Sequence, residues 1–160
     1  MTEKLNKNQI KRMTREKVKT LFTQEGCQIY QKTAGSVSYE TIGLEGSDQR
    51  IGALYGSRGG ACALWVKEDA WNLIKESGVI NSESQHTVQD VSMFARGFQW
   101  AIHFSDCDEP AITDVVKACV ATGQIRWDAT QDRRAIESRR ADERVVREAA
   151  MAEKRTDPWA

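Results

Sequence analysis

Proline is nearly missing from this chain, with two in 160 residues. That scarcity argues against a long flexible linker and for a compact body. Histidine is just as scarce: His86 and His103 are the only two. No two of the four cysteines form a C-x-x-C pair, and Cys27, Cys62, Cys107 and Cys119 lie far apart. The expectation is free thiols in a reducing compartment. No apolar run approaches the ~20 residues that a bilayer-spanning helix needs. The opening stretch MTEKLNKNQIKRMTREKVK is basic, but no apolar segment follows it. No signal peptide is therefore expected, the predicted location is cytoplasmic, and no membrane partner is anticipated. Net charge is also lacking, at 23 basic against 23 acidic residues. A zero total weakens indiscriminate attraction to polyanions.

The balance is uneven along the chain. Residues 1–19 carry seven basic and two acidic groups, residues 20–130 eight and fourteen, and residues 131–160 eight and seven. A basic N-terminal segment beside an acidic middle can grip a phosphate backbone. It can equally pack on an acidic body, its own or that of a second subunit.

The periodicity predicts an α+β fold: an antiparallel sheet of about four to six strands, packed helices and an extended charged C-terminal helix. Ile10, Met13, Val18, Leu21 and Phe22 recur at helical spacing over 8–23. Residues 27–67 read as a four-strand antiparallel meander with glycine-rich turns. A short helix is expected at 68–77, with Gly78 just past its end. Over 88–104 the pattern fits a helix or turn up to Gly97, then a strand. Pro110 and the apolar side formed by Ile112, Val115, Val116, Cys119 and Val120 mark another helix, which Gly123 is expected to stop. A last helix is expected over 131–154. The expected organisation is a compact domain with a basic N-terminal helix at 1–128, then a charged helix and short tail at 129–160.

Chemistry-bearing motifs are weak. GSRGGA (residues 56–61) can form an anion nest with Arg58 as a positive fork. It lacks the Gly-Lys-Ser/Thr ending of a phosphate loop, and strand character follows it. HFSDCDEP gathers His103, Asp106, Cys107, Asp108 and Glu109. Their carboxylates suit a hard cation, and His103 with Cys107 suits zinc, but the spacing matches neither a zinc finger nor an EF-hand. The same carboxylates also suit the N-terminus of the following helix. Neither histidine has a local carboxylate or nucleophile partner. Glu68 beside Lys67, with Asp106 and Asp108, assembles a metal-dependent nuclease on paper only.

The segment DRRAIESRRADERVVREAA, residues 132–150, holds six arginines and no lysine. On a helix Arg133, Arg140, Arg144 and Arg147 fall within about 60° of one another. Val145, Val146 and Ala149 lie broadly opposite. Interspersed acids oppose plain phosphate binding, while arginine forks suit acidic surfaces.

The leading reading is therefore a non-enzymatic accessory protein that acts by protein–protein recognition or self-association. Its candidate contacts are Arg12, Arg15, Lys19, Arg58, Arg133, Arg140, Arg144, Arg147 and Trp159. The alternative is nucleic-acid binding through the basic N-terminal helix and the arginine stripe. A third reading is a metal-dependent hydrolase or nuclease. The sequence assigns no catalytic residue, no cofactor and no resident metal.

Overall fold

The computed structural model of the chain describes residues 4–56, 61–93 and 97–156. Helix α1 (Lys7–Gln24) starts where Asn6 and Gln9 cap each other's backbone N–H groups at 2.9 Å. This reciprocal box satisfies donors the helix cannot. Thr14, Val18 and Phe22 form its buried side.

The chain then runs through β1 (Cys27–Ala34), β2 (Val37–Leu44), β3 (Arg50–Gly56) and β4 (Cys62–Val66). This is the expected antiparallel meander. Helix α2 (Glu68–Ser77) ends at Gly78, whose φ of 72° is the left-handed stop a side chain would resist.

Residues 87–90 depart from expectation. They form strand β5 (Thr87–Asp90), and among the described residues no helix lies between β5 and β6 (Trp100–Phe104). Cross-strand pairing decides it: Val88 faces Ile102 and Gln89 faces Ala101, so β6 satisfies this backbone. Phe94 and Ala95, part of the expected helical side, lie outside the described residues. The six strands run in the order β1-β2-β3-β4-β6-β5, all antiparallel, with β5 on the edge. The fold is thus α+β, an open antiparallel sheet with helices and a long final helix.

One face of the sheet buries Ile42, Leu54, Leu64, Ile102 and Phe104. The other carries a cross-strand aromatic ladder. Tyr39 stacks on Tyr55 at 4.7 Å, and Tyr55 stacks on Trp65 at 4.2 Å. A register shift in β2–β3 pairs Ile42 with Gly52 and Gly43 with Arg50. Ile51 is left unpaired as a bulge, and its side chain is buried.

That bulge explains the largest departure. Helix α3 runs without a break over Glu109–Thr156, so the expected stop at Gly123 and the separate last helix over 131–154 do not occur. Gly123 is a buried helical glycine. A Cβ there would lie 2.3 Å from Ile51 Cγ2 and 3.4 Å from Leu44 Cδ1. It lets helix backbone and bulged strand approach closely.

The chain divides into two units, Met1–Gln124 and Ile125–Ala160. In the second, Arg134 lies 5.4 Å over the Trp127 ring, Thr130 donates to the Arg126 carbonyl at 2.9 Å, and residues 131–155 are exposed. Among the described residues no helix is long and apolar enough to cross a membrane.

Candidate functional site

The β5–β6 register sets Thr87 opposite His103. His86, one residue before β5, therefore comes beside Phe104 and the loop that follows it. The two rings meet edge to face at 5.4 Å. The loop 105–108 then leads into α3. Asp108 caps that helix, with its Oδ1 accepting from the Ala111 N–H at 3.3 Å. Helix capping, expected of this acidic loop, is present.

The second oxygen of Asp108 does something else. Its Oδ2 lies 3.3 Å from His86 Nε2, and Asp106 Oδ1 lies 3.8 Å from the same nitrogen. The three donor atoms all fall within 4.8 Å of one another. The His86 side chain is 1% exposed, whereas Asp106 and Asp108 are 44% and 38% exposed. Gln85 Nε2 donates to Asp106 Oδ2. Asp106 Oδ1 is buried without a hydrogen-bond partner. Two carboxylates thus converge on one imidazole beside a helix N-terminus.

The other ring nitrogen fixes the proton. His86 Nδ1 accepts from the Ser105 N–H at 3.1 Å. In the neutral ring the proton therefore sits on Nε2, donated towards Asp108. Ser105 Oγ also lies 3.3 Å from Nδ1 and itself donates to the Gln85 carbonyl at 3.0 Å. In the alternative tautomer Nδ1–H donates to Ser105 Oγ, which requires the Ser105 N–H to give up Nδ1. A histidine that gives Nε2 to a metal needs that second arrangement.

This geometry corrects the expectation of a non-enzymatic chain. A buried imidazole between two carboxylates is compatible with a metal-binding or catalytic site. It also corrects the expectation that neither histidine has a carboxylate partner. His86 went unassigned because twenty residues separate it from Asp106, and only β-sheet register closes that gap.

The residues singled out from the sequence are dispersed. His103 is hydrogen-bond distance from Gln89, at 3.2 Å, and burial pulls its imidazole below the ordinary range. Burial pushes the Cys107 thiol up; Lys17 opposes this and the neighbouring acids reinforce it. Arg12 is exposed on α1. Arg15 and Lys19 converge on Glu40, whose side chain is 6% exposed. Arg15 Nη2 stands 2.8 Å from Oε1 and Lys19 Nζ 3.0 Å from Oε2. Burial, the largest influence on Glu40, raises its pKa, but the hydrogen bonds and charges of Lys19 and Arg15 together outweigh it and hold the carboxyl below the usual range. Arg133, Arg140, Arg144 and Arg147 are all exposed. Arg58 with most of its glycine loop, and Trp159, lie outside the described residues.

No protein-family model matches the chain, and comparisons with curated proteins and with solved structures found no match.

Proposed function

We propose that the chain binds a divalent cation through His86 Nε2, Asp106 Oδ1 and Asp108 Oδ2, and that this site supports metal-assisted hydrolysis. One observation carries the reading. Donor atoms from two distant segments converge within 4.8 Å, and one of them is a buried carboxylate oxygen with no partner. Ligands on a tetrahedral ion at ~2.1 Å stand about 3.4 Å apart. The 3.3 and 3.8 Å separations from Nε2 are close to that. Mixed imidazole and carboxylate donors fit Mn²⁺, Fe²⁺ or Zn²⁺ better than Ca²⁺, which takes oxygen donors. The half-exposed aspartates leave open positions for water. A bound ion supplies Lewis-acid activation of that water, while Ser105 holds the His86 ring in place. Titration calorimetry with Mn²⁺ and Zn²⁺ tests the reading. One ion per chain is expected, with affinity at least about tenfold weaker in Asp106→Asn. Asp108→Asn removes a ligand charge and keeps the cap, since Asn caps as well as Asp. Failure of the wild type to bind either ion at millimolar concentration refutes the reading.

The exposed helix beyond Ile125 supports a second role, as a contact surface for a protein or nucleic acid. Val145 and Val146 are 65% and 69% exposed there, broadly opposite the arginine stripe. Isolated helices are marginal in water, so a partner that covers this one stabilises it. We assign the segment from residue 129 to that contact. A salt-sensitive gel shift lost in Arg140→Ala/Arg144→Ala/Arg147→Ala supports nucleic acid as the partner. Protein capture that persists after nuclease treatment supports a protein.

A further inference from the structure

Between α2 and the segment leading into β5 lies a pocket of about 510 Å³. Trp71, Ile80 and Val88 give it an apolar interior, and Ser82 and Thr87 are among its lining residues. Lys75 is the one permanently charged residue in the lining and no carboxylate lines it, while His86, a ligand of the proposed cation site, lies in the lining too. The Lys75 ammonium stands 5.8 Å over the Trp71 ring and makes no ion pair among the described residues. Trp71 is held from a second side by Trp100, at 5.7 Å. The Ser82 and Thr87 hydroxyls likewise have no protein hydrogen-bond partner among the described residues.

We infer that this pocket binds a small organic anion with a planar apolar body, its charged group on Lys75 and its ring against Trp71. A concave apolar site with few convergent polar groups is the usual form of a small-molecule site. The volume accommodates one aromatic ring with substituents. The ammonium, with no carboxylate in the lining, selects negative charge over neutral or cationic ligands. The Ser82 hydroxyl can donate to a further oxygen of a carboxylate or phosphate. Those two head groups share this chemistry, so both are tested.

The experiment is a titration followed by the Trp71 indole N–H resonance, assigned through Trp71→Phe. Benzoate and phenyl phosphate serve as probes, with benzyl alcohol and benzylamine as controls. Saturable binding with Kd of roughly 1 mM is expected for the anions, in line with about nine to eleven heavy atoms in a good site. The tighter of the two identifies the preferred head group. Lys75→Ala weakens binding by about tenfold or more, the size of a charge-assisted contact, and Lys75→Arg retains most of it. Equal binding of benzyl alcohol overturns the assignment, as does undiminished binding in Lys75→Ala or no saturation by roughly 20 mM. Lys75 is exposed, so its variants fold. With the titration run free of metal ions, because His86 lines the pocket, Asp106→Asn, which weakens the proposed cation site and is not in the lining, leaves benzoate binding intact, so failure of one site is distinguishable from failure of the other.

Discussion

Replacing Gly123 by alanine sets two effects against each other. In an exposed helix interior this change stabilises by about 1 kcal/mol, because glycine is the poorer helix former. Here the new methyl would sit 2.3 Å from Ile51 Cγ2, more than 1 Å inside ordinary contact distance. Ile51 is 1% exposed and held by its bulge, so it has little room to retreat. Overpacking of this kind costs about 1–3 kcal/mol. The severe overlap places it in the upper part of that range, for a net loss of about 1–2 kcal/mol. In a chain of this length that lowers Tm by about 2–8 °C. Urea unfolding of Gly123→Ala gives the number directly. Ile51→Ala removes the clashing methyl, itself costing about 2–5 kcal/mol. In that background Gly123→Ala becomes neutral or stabilising, so the double-mutant cycle shows coupling of at least about 1 kcal/mol. A Gly123→Ala chain more stable than wild type refutes the close approach, and Gly123 then has no packing role.

Three further outcomes follow from the buried ionisable groups. Glu40→Gln leaves Arg15 and Lys19 facing a neutral group and costs about 1–3 kcal/mol at neutral pH. Because the folded-state pKa of Glu40 is lowered, its contribution is present above the unfolded value near 4.5 and is lost as pH falls. The stability gap to Glu40→Gln therefore shrinks in acid, and a gap that grows there contradicts the pairing. His103 titrates below 6.5 by NMR because burial disfavours its charged form, and protonating it costs stability as pH falls below that value. Burial pushes Cys27 and Cys62 to about 11, with Glu25 adding to the effect at Cys27. A thiol reagent at pH 8 therefore labels Cys107 first, and rapid labelling of Cys62 in native protein contradicts its burial.

Local pattern was enough to read the meander, α1 and α2, because alternation, capping residues and Gly78 act within a few residues of themselves. Gly123 misled because a helix stop and a close-packing glycine look alike in sequence. Only the bulge at Ile51, seventy-two residues earlier, separates them. Residues 88–90 misled because a short edge strand takes its conformation from β6, which pattern alone does not supply. The acidic loop was legible as a cap for α3, yet its histidine partner was not. His103 stood nearer in sequence, but strand alternation puts it across from Thr87 and beside Gln89. His86, outwardly a residue of a polar connection, became the buried centre of the cluster.

The cation site is tested most directly by the ring nitrogens of His86. In metal-free protein, ¹⁵N-detected NMR should find the proton on Nε2, because Nδ1 accepts from Ser105. Adding Zn²⁺ should move that proton to Nδ1 and shift His86, leaving His103 unchanged, while Mn²⁺ should broaden His86 selectively. A His86 spectrum indifferent to both ions, or one that responds no more than His103, contradicts the assignment of His86, Asp106 and Asp108 as metal ligands.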